Sequence, residues 1–133
     1  MVGGTGPKRT LRTLARYGDV MNLDGWEGQG MSLDYYKYKA GVLEQHCEEC
    51  GRDPAEIRRT LTVPCFLTDK ASLVEQMVKT YGEGTMAGSR QYIVDRIGEF
   101  KDAGIDEIMF GGIASGDVKR LKMYDSEIVS AFR

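Results

Sequence analysis

Residues 2–24 read VGGTGPKRTLRTLARYGDVMNLD, a glycine-rich turn followed by a helix-like segment and then a strand-like segment. Pro7 suits the first position of a helix, because its φ is fixed and its missing N–H is not needed there. Gly18 suits the left-handed residue that commonly ends a helix. The pattern therefore predicts a helix from Pro7 to Gly18. The β-like run over residues 19–23, bounded by turn residues, predicts a buried strand.

The alternation of helix and strand continues to the end of the chain. The further predicted elements are, in order, a helix from Ser32 to Gly51, a single turn at Asp53-Pro54, a strand over 59–67 weakened by Pro64, a helix capped by Asp69, a helix from Ser89 to Gly104, a strand over 106–110 and a helix from Asp117. Such alternation implies parallel strands joined by right-handed crossovers, with outer helices. The sequence thus predicts an α/β fold in one domain, residues 1–133.

Two of the predicted helices carry apolar stripes that indicate which side chains face the core. In the helix from Ser32 to Gly51, apolar or small residues recur at steps of three and four, namely Tyr36, Ala40, Leu43, Cys47 and Cys50. In the last, the same spacing joins Leu121, Tyr124 and Ile128. We expect these side chains to be buried.

Composition excludes several classes of partner. The 133 residues include 18 basic and 20 acidic side chains, a net charge of -2 with no broad basic field. Nucleic acid and anionic membrane surfaces are therefore not expected partners. No apolar run approaches the roughly 20 residues of a membrane span, and the N-terminus lacks an apolar signal segment. Three cysteines do not form a secreted disulfide framework, so we expect a cytoplasmic protein with reduced thiols.

The glycine turn is the strongest candidate site. Gly3, Gly4, Thr5 and Gly6 place flexible backbone N–H groups at a helix N-terminus, where the helix dipole favours an anion. Lys8 and Arg9 follow directly. Cations in a first helical turn oppose the dipole by a few tenths of a kcal/mol, a cost that a bound phosphate would offset. The alternative is an ordinary glycine turn leading into a helix.

Other residues at predicted strand ends could line the same site. Asn22, near the end of its strand, could point its amide towards a ligand, although Asn22 and Asp19 both also suit local strand-end hydrogen bonding. Trp26 could stack on a flat ring or serve as a packing anchor. The pair Gly111-Gly112 follows the last strand and suits either a ligand or a tight strand-to-helix turn.

The run His46-Cys47-x-x-Cys50 resembles a metal or dithiol motif, because thiolates and imidazole are the usual zinc ligands. Two features argue against that interpretation. Both cysteines fall on the apolar stripe, and no second Cys/His pair completes a four-ligand site. We therefore predict no metal site. His46, the sole histidine, lies on a predicted outer helix and is a poor candidate for a general base.

Several segments together resemble the luciferase-like monooxygenase family, which includes the deazaflavin (coenzyme F-420)-dependent oxidoreductases. The matching segments, in the family's order, are VGGTGPKRTL (2–11), ARYGDVMN (15–22), GRDPAEI (51–57) and 88–106, ending in DAGID. The resemblance spans essentially the whole chain. It implies a partial (β/α)8 barrel, the C-terminal half from the end of strand five to helix eight. A complete barrel needs roughly 250 residues.

The resemblance also implies a cofactor, FMN or coenzyme F-420, bound at the C-terminal face of the barrel with its phosphate near the turn of residues 3–6. Enzymes of this kind pass a hydride or activate oxygen at the ring of the cofactor, and the protein supplies placement and electrostatics. Because barrel strands one to four are not in this chain, no catalytic residue is assigned. The alternative is a truncated, non-catalytic half-barrel.

An open half-barrel exposes strand edges, and we expect an apolar inner face lined from residues 20–23 and 61–67. Such surfaces favour association. We therefore expect a homo-oligomer that completes or covers the barrel, and a small-molecule substrate if the assembly is active.

Overall fold

Ten regular elements follow one another in a computed structural model that describes residues 1–25, 31–111 and 117–133. The strands are β1 (Val2–Gly3), β2 (Val20–Asp24), β3 (Arg58–Leu67), β4 (Met86–Gly88) and β5 (Glu107–Gly111). The helices are α1 (Thr10–Tyr17), α2 (Leu33–Cys50), α3 (Ala71–Tyr81), α4 (Arg90–Asp102) and α5 (Val118–Glu127), with short 3-10 turns at Pro54–Glu56 and Val129–Phe132. Trp26 and Gly112 lie outside the described residues.

β3 is the central strand of a sheet whose strand pairs are all parallel. β2 pairs with residues 58–62 of β3, and β1 pairs with β2. β5 pairs with residues 60–64 of β3, and β4 pairs with residues 65–67. A parallel sheet with flanking helices confirms the predicted α/β class and the partial (β/α)8 barrel.

Pro64 lies between the part of β3 that pairs with β2 and the part that pairs with β4. Alternate backbone groups of a strand point to the same edge. On one edge of β3, the Thr62 carbonyl accepts a hydrogen bond from the Gly25 N–H. Further along the same edge, the Thr68 N–H donates to the Gly88 carbonyl, so β4 follows β2 as the neighbour on this edge. The missing N–H of Pro64 falls between these two bonds. The ladder therefore tolerates a proline in a central strand.

The two faces of the sheet differ in polarity. Leu23, Leu61 and Val63 are fully buried and join one core with side chains of α1, α2, α4 and α5. The register places Asn22, Thr60 and Glu107 together on the opposite face. The expected apolar inner face is therefore interrupted by polar side chains at its centre, although Val20 and Met109 share this face by register. Side chains alternate along a strand, so the apolar half of each run faces the helices and the other face is polar at its centre.

Most of the predicted helix caps are present. Ser32, Ser89 and Asp117 each accept a hydrogen bond from a backbone N–H in the first turn of the following helix. Gly51 ends α2 with φ of 71°, and Gly104 has φ of 91° after α4. Asp53 accepts from the Ala55 N–H at 2.9 Å, as its predicted turn requires, and these contacts offset the unpaired groups that every helix end leaves.

Three helix boundaries differ from the prediction. α1 begins at Thr10, because Pro7 to Arg9 form a turn whose hydrogen bond runs from Leu11 N–H to the Gly6 carbonyl at 3.1 Å. α3 begins at Ala71 after Lys70 and has no side-chain cap, so Asp69 does not cap it. Gly18 is extended rather than left-handed, with φ of -109°.

Arg52 explains the end of α1. Its Nη1 donates to the carbonyl oxygens of Gly18 at 2.6 Å, Ala15 at 3.3 Å and Leu14 at 3.4 Å. The guanidinium thus satisfies the last carbonyls of the helix and complements its dipole, which a left-handed glycine would otherwise help to do. A Cβ at residue 18 would lie 2.7 Å from Leu14 Cδ1 and 3.0 Å from Val2 Cγ2, so a larger residue there requires these side chains to shift.

Two residues of the predicted apolar stripes are exposed. Cys50, at the last position of α2, is exposed, whereas Tyr36, Ala40, Leu43 and Cys47 are buried as predicted. Leu121 is 47% exposed, whereas Tyr124 and Ile128 are buried. Residues 117–123 are all exposed, so α5 meets the core only in its second half. Among the described helices, none is long and apolar enough to cross a membrane.

Candidate anion-binding site

The glycine turn connects β1 to α1 and depends on two of its glycines. Gly4 has φ of 113°, a conformation that residues with a side chain rarely adopt, and its N–H donates to the Asn22 carbonyl at 3.2 Å. A Cβ on Gly6 would lie 2.7 Å from Thr10 Oγ1. The first glycine is thus required by backbone conformation and the second by close approach of Thr10.

Several backbone N–H groups of this turn have no acceptor in the part of the chain that the structure describes. Within the described residues, the hydrogen bonds use the N–H of Gly4 and of Leu11 but not those of Thr5, Gly6, Lys8 or Arg9. Backbone donors are nearly always paired with protein, water or a ligand. Free N–H groups just before a helix N-terminus are the usual donors to bound phosphate or carboxylate groups.

Two side chains of α2 hold the turn by its carbonyl oxygens. Lys39 Nζ donates to the Thr5 oxygen at 2.6 Å, and His46 Nε2 lies 2.8 Å from the Pro7 oxygen. His46 Nδ1 lies 3.2 Å from Glu49 Oε2. Sequence reasoning missed both residues. The available signal was Lys39 itself, a charged residue within an apolar stripe, and it is only 4% exposed.

Lys8 and Arg9, by contrast, are exposed. Together with Arg12 and Arg16 they line a groove of about 360 Å³ along the outer face of α1, and residues 3–6 do not line it. The structure therefore brings the predicted glycines together with Lys39 and His46. It places the side chains of Lys8 and Arg9 in a separate basic groove.

Asn22 joins the turn to the polar face of the sheet. Its backbone oxygen accepts from Gly4, and its side-chain Oδ1 accepts from Thr60 Oγ1 at 3.0 Å. Its Nδ2 lies 3.3 Å from Thr62 Oγ1. Gly3, the register partner of Asn22, has no side chain to cover it. The amide is therefore fixed beside the turn by two threonines, of which Thr60 is buried.

The cysteines do not form a reactive pair. Burial raises the pKa of the Cys47 thiol and raises that of Cys65 to about 12, so both stay protonated at neutral pH. Cys50 Sγ donates weakly to the Cys47 and Ala15 carbonyls, at 3.4 and 3.6 Å. In the part of the chain that the structure describes, no group of three metal-ligating side chains lies close enough to hold an ion.

The fold is shared with solved oxidoreductases. A coenzyme F-420-dependent tetrahydromethanopterin reductase from Methanopyrus kandleri matches 98% of this chain and 50% of its own, at 16% identity with a TM-score of 0.69. An F-420-dependent secondary alcohol dehydrogenase, in complex with an F-420-acetone adduct, matches 96% of this chain and 47% of its own at 16% identity, TM-score 0.73. A long-chain alkane monooxygenase (LadA) matches 98% of this chain and 39% of its own at 11% identity, TM-score 0.69.

The chain is thus an α/β protein with the fold of a partial barrel, and it spans about half the length of the solved structures that it matches. At the level of the fold, these neighbours confirm the resemblance to the luciferase-like enzymes. No protein-family model and no curated protein sequence matches the chain.

Proposed function

We propose that this chain is the C-terminal part of a luciferase-like flavin- or deazaflavin-dependent oxidoreductase, and that its turn of residues 3–6 binds the phosphate of the cofactor. The observation that carries the proposal is the set of N–H groups at Thr5, Gly6, Lys8 and Arg9 that have no acceptor among the described residues, beside two glycines that the turn requires. The names of the structural neighbours, two of which are F-420-dependent enzymes, support the cofactor class.

The cofactor is FMN or coenzyme F-420, and when bound it supplies hydride transfer or oxygen activation at its ring. The residues of this chain bind and orient it. The free backbone N–H groups suit an oxyanion, since they are uncharged donors at the positive end of α1. Asn22 offers its amide beside the turn, and Lys8 and Arg9 add positive charge near the start of the helix. In this proposal the chain acts in the cytoplasm, and its substrate is a small molecule.

Completion of the barrel is part of the proposal. Within the described residues, β1 pairs only with β2 and β5 only with β3, so both strands present an unpaired edge. A second copy of the chain covers these edges and the polar face between them. Size-exclusion chromatography with light scattering should show a homo-oligomer, and a monodisperse folded monomer would contradict this.

Titration with FMN and with coenzyme F-420 tests the cofactor proposal. We expect micromolar binding with a perturbed visible spectrum. Gly4→Ala should weaken binding about tenfold or more, because an alanine does not tolerate the left-handed φ that shapes the turn. Gly41→Ala is the matched control, since a Cβ at that position in α2 meets nothing within 4 Å.

The absence of cofactor binding would favour a second candidate function, that of a non-catalytic half-barrel. If neither cofactor binds to the wild-type protein, the chain is a non-catalytic half-barrel that folds and self-associates, and the free N–H groups are solvated. The exposed strand edges are the observation that supports this alternative. Equal binding by Gly4→Ala and Gly41→Ala would place any cofactor away from the turn.

A further inference from the structure

The surroundings of Lys39 are unusual for a lysine. It lies on the buried side of α2 with Tyr36, Ala40 and Leu43, and it is 4% exposed. Its Nζ lies 5.0 Å from the ring centre of Tyr35 and 2.6 Å from the Thr5 oxygen. An ammonium group has three N–H donors and no acceptor. This one is held against the glycine turn.

Among the described residues, no carboxylate forms an ion pair with this ammonium. Burying a charge without a partner is costly, and a buried charge is normally paired or bound to a ligand. Aromatic faces and one carbonyl offset only part of that cost. An anion bound at the turn would supply a negative charge close to this ammonium.

His46 makes the second contact of the same kind. It lies seven residues after Lys39, two helical turns along the same face of α2, and its side chain is 15% exposed. Because a carbonyl oxygen only accepts, Nε2 carries the hydrogen in its 2.8 Å contact with Pro7. One face of α2 therefore holds two carbonyls of the turn.

These contacts determine where the free donors point. The described peptide bonds are trans, and in a trans peptide the C=O of one residue and the N–H of the next point in opposite directions. Lys39 on the Thr5 oxygen thus turns the Gly6 N–H away from α2. His46 on the Pro7 oxygen does the same for the Lys8 N–H. Both of these N–H groups are free within the described residues.

Binding at the carbonyl also polarises the peptide. A donor on the C=O makes the N–H of the same peptide a better donor, and chains of hydrogen bonds strengthen one another in this way. The effect is larger when the donor is a charged ammonium. Lys39 on the Thr5 carbonyl therefore makes the Gly6 N–H a stronger donor.

We propose that Lys39 and His46 are positioning residues of the anion site, which hold the Thr5 and Pro7 carbonyls so that the Gly6 and Lys8 N–H groups face a bound phosphate group. This inference rests on the proposed function and adds to it the residues that shape the site. It also proposes that buried Lys39 contributes positive charge to the site, in addition to exposed Lys8 and Arg9.

Inorganic phosphate, titrated into ¹⁵N-labelled protein, tests the inference. In the wild type we expect the Gly6 and Lys8 amide resonances to shift together with phosphate. Lys39→Met should weaken binding about tenfold and reduce the shift of Gly6 most, since a charged donor is removed behind that peptide. Lys37→Met is the matched control, because Lys37 is an exposed lysine of the same helix and its loss changes the net charge equally.

His46 gives an independent arm if Lys39→Met does not fold. His46→Leu should reduce the shift of the Lys8 amide most, and His46→Gln, which keeps an N–H donor, should restore it. A residue that merely stabilises the fold would lower the unfolding midpoint without this residue-specific pattern.

Two results would overturn the inference in distinguishable ways. If Lys39→Met and Lys37→Met bind phosphate equally and His46→Leu leaves the Lys8 shift intact, the positioning role is wrong while the anion site stands. If phosphate moves neither amide in the wild type, the anion site of the proposed function is itself wrong, and the positioning role falls with it.

Discussion

Replacement of Gly84 by alanine should lower the free energy of unfolding by about 2–5 kcal/mol, the largest loss that we expect from one methyl group in this chain. Gly84 has φ of 90°, and a Cβ there would lie 2.1 Å from the backbone C and O of Met31 and 2.6 Å from the N of Ser32. Backbone atoms cannot rotate away as a side chain can. The clash falls at the N-cap of α2, so the first turn of that helix should also be disturbed.

Gly98→Ala is the control for this prediction. A Cβ on Gly98, within α4, meets nothing within 4 Å. Alanine is a better helix former than glycine, so this variant should be more stable by about 0.5–1 kcal/mol. Urea unfolding at one fixed protein concentration measures both changes. If the two variants unfold at the same urea concentration, Gly84 does not pack against Met31 as described.

Tyr124→Phe should cost about 2–4 kcal/mol, although it removes a single oxygen atom. The Tyr124 hydroxyl donates to the Cys65 carbonyl at 2.8 Å and accepts from the Leu67 N–H at 3.0 Å. Within the described residues the pairing of β5 with β3 extends to Pro64, and the hydroxyl satisfies two backbone groups further along the same edge. Without it, a buried carbonyl and an N–H lose their partner, which costs more than the bonds contribute.

Tyr92→Phe controls for the loss of a tyrosine hydroxyl. Tyr92 is 43% exposed, and in the part of the chain that the structure describes its hydroxyl makes no hydrogen bond. We expect a change within about 0.5 kcal/mol, as for other surface substitutions. A similar loss in both variants, measured by urea unfolding, would mean that the Tyr124 hydroxyl does not support the end of β3.

Local sequence signals predicted helix ends correctly where the residues that form the cap lie next to the helix. Ser32, Ser89 and Asp117 cap their helices because a side-chain oxygen reaches an N–H of the first turn from the adjacent residue. Asp69 has the same chemistry but caps no helix, since α3 begins two residues later. Gly18 was predicted from the helix alone, whereas Arg52, distant in sequence, satisfies those carbonyls in the folded chain.

The features of the glycine turn likewise separate into those that are local in sequence and those that depend on distant residues. Its glycines, and the preference of a helix N-terminus for anions, can be recognised from residues 3–9 alone. Lys39 and His46 contact it from more than thirty residues away, so no local pattern links them to it. Asn22 was predicted from its place in a strand, but its bonds to Thr60 and Thr62 depend on the register of β2 with β3.

The sequence by itself determined the order of helices and strands, the parallel α/β class and the position of the glycine turn, because periodicity, caps and glycine conformation act over a few residues. Only the tertiary structure decided which face of the sheet is polar and which side chains hold the turn. Both depend on strand register and on the packing of α2 against α1, which bring together residues distant in the chain. The free N–H groups of the turn become a defined candidate site only through those contacts.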